Sequence, residues 1–220
     1  LVDSSQYAGI LGGSKDSLID SEYSVIGGGS ENYLKGKGNA IQGGLGNRIY
    51  VDTALTVGSL SNYSFIGGGI RNEVWDTQSG IIGGFRNKIF GEESGIIGGA
   101  RSVIYSDNSG IVGGQNDTIR GTWSTALGGL YNTIDLRASG AVIAGGADNY
   151  VNLSNSGIIA GRDNRIDGES VAGANPTRNV VVGGNGNTVW QGIGVSITSG
   201  EENLVDSSQY AGILGGSKDS

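Results

Sequence analysis

Adjacent carboxylates occur at Glu92 and Glu93 and again at Glu201 and Glu202. A carboxylate pair is the least that acid–base cleavage of a glycoside requires. Both pairs fall where turns are predicted, so they read as solvated charge. The chain has no histidine and no cysteine. That removes the commonest general base and metal ligand and every Ser/His/Asp or Cys/His set. No catalysis, no cofactor and no metal site is expected. QGGLGNRI (residues 42–49) is superficially like the calcium-binding nonapeptide repeat. Its polar residue, however, stands three places after the second glycine instead of four, and asparagine mostly replaces the aspartate that would supply charge.

The same spacing recurs along the chain. Three places after the second glycine of a Gly-Gly pair stands a short polar residue, and two places later an aliphatic one: Gly84, Asn87, Ile89; Gly99, Ser102, Ile104; Gly114, Asp117, Ile119; Gly129, Asn132, Ile134. These steps are fifteen residues each. The pattern runs back through Gly69, Gly44 and Gly29, and forward through Gly146, Gly161, Gly184 and Gly200. Two intervals break the rhythm, 25 residues from Gly44 to Gly69 and 23 from Gly161 to Gly184. Loops on rigid scaffolds often carry recognition. The irregular stretches near residues 51–65 and 167–180 are therefore candidates for partner contact, or bulged coils without further role.

A longer period contains the short one. Residues 1–17 and 204–220 are the same seventeen letters, LVDSSQYAGILGGSKDS, at an offset of 203. Val205, equivalent to Val2, belongs to the short repeat that includes Gly200 and Asn203. The 203-residue period is thus expected to hold a whole number of short repeats and to hand over in phase, making residues 1–220 one continuous length of a longer array.

Elements that could carry such a repeat are constrained by its length. Fifteen residues are too few for helix-pair solenoids, which need about 33 to 47. Glycine, 44 of 220 residues, costs about 1 kcal/mol each inside a helix. Segments such as IIGG, IVGG, NKI and NTV have the β-branched composition of strands bounded by turn residues. The predicted fold is all-β: a parallel β-solenoid, or β-roll, with coils of about 15 residues and two short strands per coil.

Within each coil the glycines Gly44, Gly69, Gly84, Gly99, Gly114, Gly129, Gly146, Gly161 and Gly184 are expected to make the sharp turn. Asn32, Asn47, Asn72, Asn87, Asn132, Asn149, Asn164, Asn187 and Asn203 would stack into a structural ladder bonding coil to coil. Two adjacent aliphatics precede many glycine pairs: Ile81 and Ile82, Ile96 and Ile97, Ile111 and Val112, Val181 and Val182. Neighbours on a strand point to opposite faces. One of each pair fills the core, and the other forms an outward apolar stripe suited to self-association, unless the coil curves enough to bury both.

The motif S-x-I-x-G-G-x-x-N-x-I, as in SGIIGGFRNKI (residues 79–89) and SGIVGGQNDTI (residues 109–119), resembles the head repeats of trimeric autotransporter adhesins and related bacterial and phage fibre proteins. That resemblance implies a left-handed β-roll packed as a homotrimer about an apolar axis, located outside the cell or on its surface. The adhesin heads usually repeat every fourteen residues, and no coiled-coil stalk or anchor is present here. The expected function is a structural segment of a long extracellular fibre or adhesin shaft, giving reach and surface attachment. Its expected partners are copies of itself and a cell-surface or glycan target.

The rival reading is a ligand-binding β-roll for glycan, calcium or ice. An ice-binding face needs a regular threonine ladder. The position after the second aliphatic instead varies: Tyr50, Trp75, Phe90, Tyr105, Arg120, Asp135, Asn152, Asp167, Trp190. Aromatic cover over a thin core is the favoured account of its aromatic members. Net charge is −7, with both signs scattered along the sequence, an argument against nucleic-acid binding. No apolar run approaches the roughly 20 residues of a membrane helix.

Overall fold

The computed structural model describes residues 1–50, 63–169 and 178–220. Among them there is no helix, only strands of two or three residues. They form two compact units, residues 1–113 and 114–220, and each is a parallel β-solenoid with two strands per coil. One strand follows the ladder residue, as Lys88–Ile89 follows Asn87. The other precedes the glycine pair, as Gly95–Ile96 precedes Gly98 and Gly99. They are called the Asn strand and the Gly strand below.

In the first unit seven Asn strands run from Val2–Asp3 to Val103–Ile104, and seven Gly strands from Gly9–Ile10 to Gly110–Ile111. In the second, six Asn strands run from Thr118–Ile119 to Leu204–Asp206, and six Gly strands from Thr125–Ala126 to Gly212–Ile213. Each strand pairs in parallel with its equivalent one coil away, so Val74, Ile89 and Ile104 stack in one column and Ile66, Ile81, Ile96 and Ile111 in the other. Adjacent coils are then about 4.8 Å apart. The usual step is 15 residues, as from Gly80 to Gly95, and it reaches 17 between Thr125 and Val142.

Register survives both irregular intervals. Ala40 pairs with Phe65 and Gly157 with Val180, so each interval adds residues without displacing the columns. Residues 51–62 and 170–177, the centres of the two proposed contact loops, lie outside the described residues. Their flanks, Phe65–Ile66, Arg165–Asp167 and Val180–Val181, are regular strands.

The core is one aliphatic side chain from each strand. Ile81, Ile89, Ile96, Ile104, Ile111 and Val181 are all at most 1% exposed. Burying one such side chain stabilises by about 1.5–3 kcal/mol, repeated twice per coil. The pleat turns the next residue out. Ile82 is 59% exposed, Ile97 55%, Val112 40% and Val182 40%, so the coil does not curve enough to bury both members of a pair.

The duplicated segment takes the same part in the coil at both places. Val2–Asp3 and Leu204–Asp206 are Asn strands, and Gly9–Ile10 and Gly212–Ile213 are Gly strands. Their left-handed corners also match: Tyr7 has φ 51° and Tyr210 54°, and Lys15 has 58° and Lys218 61°.

Candidate functional site

Two polar ladders tie the coils together. In the first, the Asn87 backbone N–H donates to Asn72 Oδ1 at 3.0 Å, and Asn87 Oδ1 accepts from the Ser102 N–H at 3.1 Å. Asn87 Nδ2 donates to the Gly83 carbonyl of its own turn at 3.3 Å and to the Gly99 carbonyl of the next coil at 3.1 Å. The same contacts recur at Asn32, Asn47 and Asn72 in the first unit. In the second they recur at Asn132, Asn149, Asn164, Asn187 and Asn203. All nine asparagines are at most 1% exposed. A buried amide is tolerated only when its hydrogen bonds are made, and here both ends of each amide are used.

The glycines explain the asparagines. The nine turn glycines Gly44, Gly69, Gly84, Gly99, Gly114, Gly129, Gly146, Gly161 and Gly184 have φ between 80° and 102°, a region glycine reaches without a Cβ clash. Space is the second constraint. A Cβ on Gly84 would overlap the Gly99 carbonyl oxygen and come within 2.5 Å of Asn87 Nδ2. Glycine and asparagine three places apart are thus two halves of one corner.

A second ladder lies at the opposite corner. The Ser94 N–H donates to Ser79 Oγ, and the Ser109 N–H to Ser94 Oγ, both at 3.1 Å. Ser79 Oγ also donates to the Gly91 carbonyl at 2.9 Å. Asn39 takes the position between Ser24 and Ser64. In the second unit Ser156 and Asn179 serve, the latter accepting from the Val195 N–H at 3.0 Å. The first letter of the S-x-I-x-G-G motif marks this ladder, although the sequence reading gave that serine no role.

At three places in the first ladder a carboxylate replaces the amide: Asp16, Asp117 and Asp219, the copy of Asp16. Asp16 Oδ1 accepts from the Asn32 N–H at 2.8 Å, and Asp117 Oδ1 from the Asn132 N–H at 2.9 Å. Asp117 is fully buried. Burial raises its pKa to about 6, against the lowering effect of its hydrogen bonds with Asn132.

Of the carboxylate pairs weighed for hydrolysis, Glu92 and Glu93 lie in a turn, whereas Glu201 is bridged to Asn185 and Ser217 and Glu202 follows in a bend. Glu93 has φ 51° and Glu202 53°. Lys218 lies 3.6 Å from the Glu202 carboxylate. The Glu92 carboxyl is raised above its ordinary value, first by the charge of Asp76 and then by burial. Among the described residues no three carboxylates gather closely enough to hold a metal ion.

Three columns of side chains mark the outer surface. On the Gly-strand face Ile82, Ile97 and Val112 stand in line, and in the second unit Leu127, Ile159 and Val182 are 40–49% exposed. The stripe is not continuous: Gly27, Gln42 and Gly67 hold its place in the first unit and Ala144 and Thr198 in the second. The other two columns are in the first unit, one at the end of the Asn strands and one at the corner that precedes them. Tyr50, Trp75, Phe90 and Tyr105 form a stack with ring centroids 4.4, 5.8 and 5.2 Å apart. Arg71, Arg86 and Arg101 occupy one corner position in three successive coils, linked by Arg86 N–H to the Ile70 carbonyl and Arg101 N–H to the Phe85 carbonyl. Charges that look scattered along the sequence are sorted by the coil.

A scan against known protein families gives no match for this chain, and neither does a search of curated proteins.

Proposed function

We propose that the chain is a structural segment of a long extracellular fibre or adhesin shaft, built from tandem 203-residue periods and associated with copies of itself, three by the family resemblance. One observation carries this reading most directly. The identical residues 1–17 and 204–220 take the same phase of the coil, with the same strands and the same left-handed corners. A period that returns to its own phase is what an uninterrupted stack needs.

The aliphatic column at Ile82, Ile97 and Val112 supports self-association. Side chains 40–59% exposed in register along one face make an apolar strip that a second surface would cover. Extracellular placement rests on the resemblance to adhesin heads.

Light scattering on the soluble chain tests the assembly. The expected mass is a multiple of the chain mass of 22.4 kDa, with three copies favoured. A clean monomer at tens of micromolar would refute self-association. Electron microscopy of chains carrying one, two and three periods tests the shaft itself. The expected particle length rises by a constant increment with each period, and lengths independent of period number would refute it.

A further inference from the structure

The arginine column is anomalous in an acidic chain. Of the 14 lysines and arginines, eight are in ion pairs among the described residues: Lys15, Lys35, Lys37, Lys88, Lys218, Arg120, Arg162 and Arg165. Acidic residues outnumber basic ones 21 to 14, so partners are not scarce. The other six have no ion pair among the described residues: Arg137 and Arg178 in the second unit, Arg48 on an Asn strand of the first, and Arg71, Arg86 and Arg101, which alone share one corner column. Glu73 and Lys88, the next two residues in the strand column of Arg48, neutralise each other at 3.0 Å.

Arg71, Arg86 and Arg101 have φ 55–57°, the left-handed corner that every coil makes. The same corner takes Glu31, Gly46, Asn116, Tyr131, Asp163 and Glu202 in other coils, so the fold does not demand arginine there. The guanidinium groups of Arg86 and Arg101 rest over the Phe85 ring at 4.9 and 5.7 Å. That contact orients them and leaves their N–H forks available. The backbone positions of successive arginines stand one coil apart, about 4.8 Å.

We propose that this arginine column binds a linear acidic polysaccharide. A guanidinium fork matches carboxylate and sulfate oxygens in paired hydrogen bonds. Three forks, one from each of three successive coils, match an anion carried on successive sugar residues. The aromatic column stands at the other end of the same strands, with Glu73 and Lys88 between it and the row. Trp75 stacks between Tyr50 and Phe90, with interplanar angles of 23° and 22°, so its ring faces are already occupied. Stacking on bases, the usual means of holding single-stranded nucleic acid, needs a free ring face. The column offers ring edges instead. Self-association through Ile82 and Ile97 would use the outer side of the Gly strands, and the arginines stand at the corner that follows it. The proposal does not depend on the shaft reading, because a single monomeric chain carries the whole surface.

The test compares the full chain with Arg71→Asn/Arg86→Asn/Arg101→Asn. Asparagine tolerates left-handed backbone, so the variant keeps its corners, and its melting temperature is measured alongside. Binding is read on immobilised heparin, polygalacturonate, neutral dextran and poly(dT) over a salt series, with mass by light scattering in the same samples. The expected result is binding to one or both polyanionic sugars but not to dextran, weakening steeply with salt and falling at least tenfold in the variant. Asp148→Asn/Asp163→Asn, at the equivalent corner of the second unit, is expected to bind like the parent. No binding to either acidic sugar, binding that the triple variant retains, or tighter binding to poly(dT) would overturn the proposal. A monomeric mass with arginine-dependent binding would contradict the self-association reading alone.

Discussion

The Asn87 backbone N–H donates to Asn72 Oδ1 at 3.0 Å, joining two residues fifteen apart that occupy the same point of successive coils. Each asparagine is at once a donor to the glycine corner above it and an acceptor for the next coil. The ladder therefore propagates without leaving buried amide atoms over.

Asn87→Ala would leave the Gly83 and Gly99 carbonyls and the Ser102 N–H without their side-chain partner. An unsatisfied buried group costs about 1–3 kcal/mol, and more than one is created here. The expected loss is about 2–4 kcal/mol by chemical denaturation. A loss below about 0.5 kcal/mol would show that water or backbone movement replaces the amide.

Asp117→Asn should have the opposite sign, and the sign should depend on pH. The native carboxyl has a pKa of about 6, raised by burial, whereas an unfolded aspartate titrates at about 3.9. The native state thus binds the proton more tightly, and the folded chain loses stability from this group as pH rises through that window. The substitution would also supply the amide donor that the other coils direct to the next glycine carbonyl. Melting at pH 7.5 should show the variant more stable than the parent, with the gap closing below pH 4. A difference independent of pH would mean that the charge of Asp117 is not what weakens this coil.

Ile82→Thr/Ile97→Thr/Val112→Thr separates association from folding. Threonine keeps the β-branched shape that strands favour, and all three side chains are outward. Circular dichroism at low concentration should match the parent, while light scattering should show a smaller mass. Unchanged mass would place the contact elsewhere.

Parts of this architecture were legible because they recur at fixed spacing. Gly84, Asn87 and Ile89 each answer to a constraint that every coil shares, so their pattern points to two strands and a glycine corner. Ser79 was visible in the same motif, but its role as an acceptor for the Ser94 N–H depends on the shape of the second corner. The arginine column recurs at the same fifteen-residue step, two places after Gly69, Gly84 and Gly99, but its lack of ion partners depends on what the coil places beside it. Surface columns are products of register, and their residue types vary freely from coil to coil. The aromatic residues were legible as one coil position; that Tyr50 and Trp75 meet with ring centroids 4.4 Å apart depends on register being kept across the 25-residue interval.

The central claim is that one period runs into the next as an unbroken stack. Tyr7 stacks on Tyr23 with ring centroids 5.2 Å apart and planes 6° from parallel, and Tyr210 occupies the position equivalent to Tyr7. In a chain carrying two full periods, Tyr210 should stack on the following copy of Tyr23. Its coil should gain the backbone partners that Gln6 and Gly9 find in Ser21 and Ser24. Hydrogen–deuterium exchange on that two-period chain, read at the amides of residues 207–217, is the direct measurement. Protection equal to that of the coils around Ile81 and Ile96 is the predicted result. Exchange at the rate of exposed chain at the junction would contradict the account.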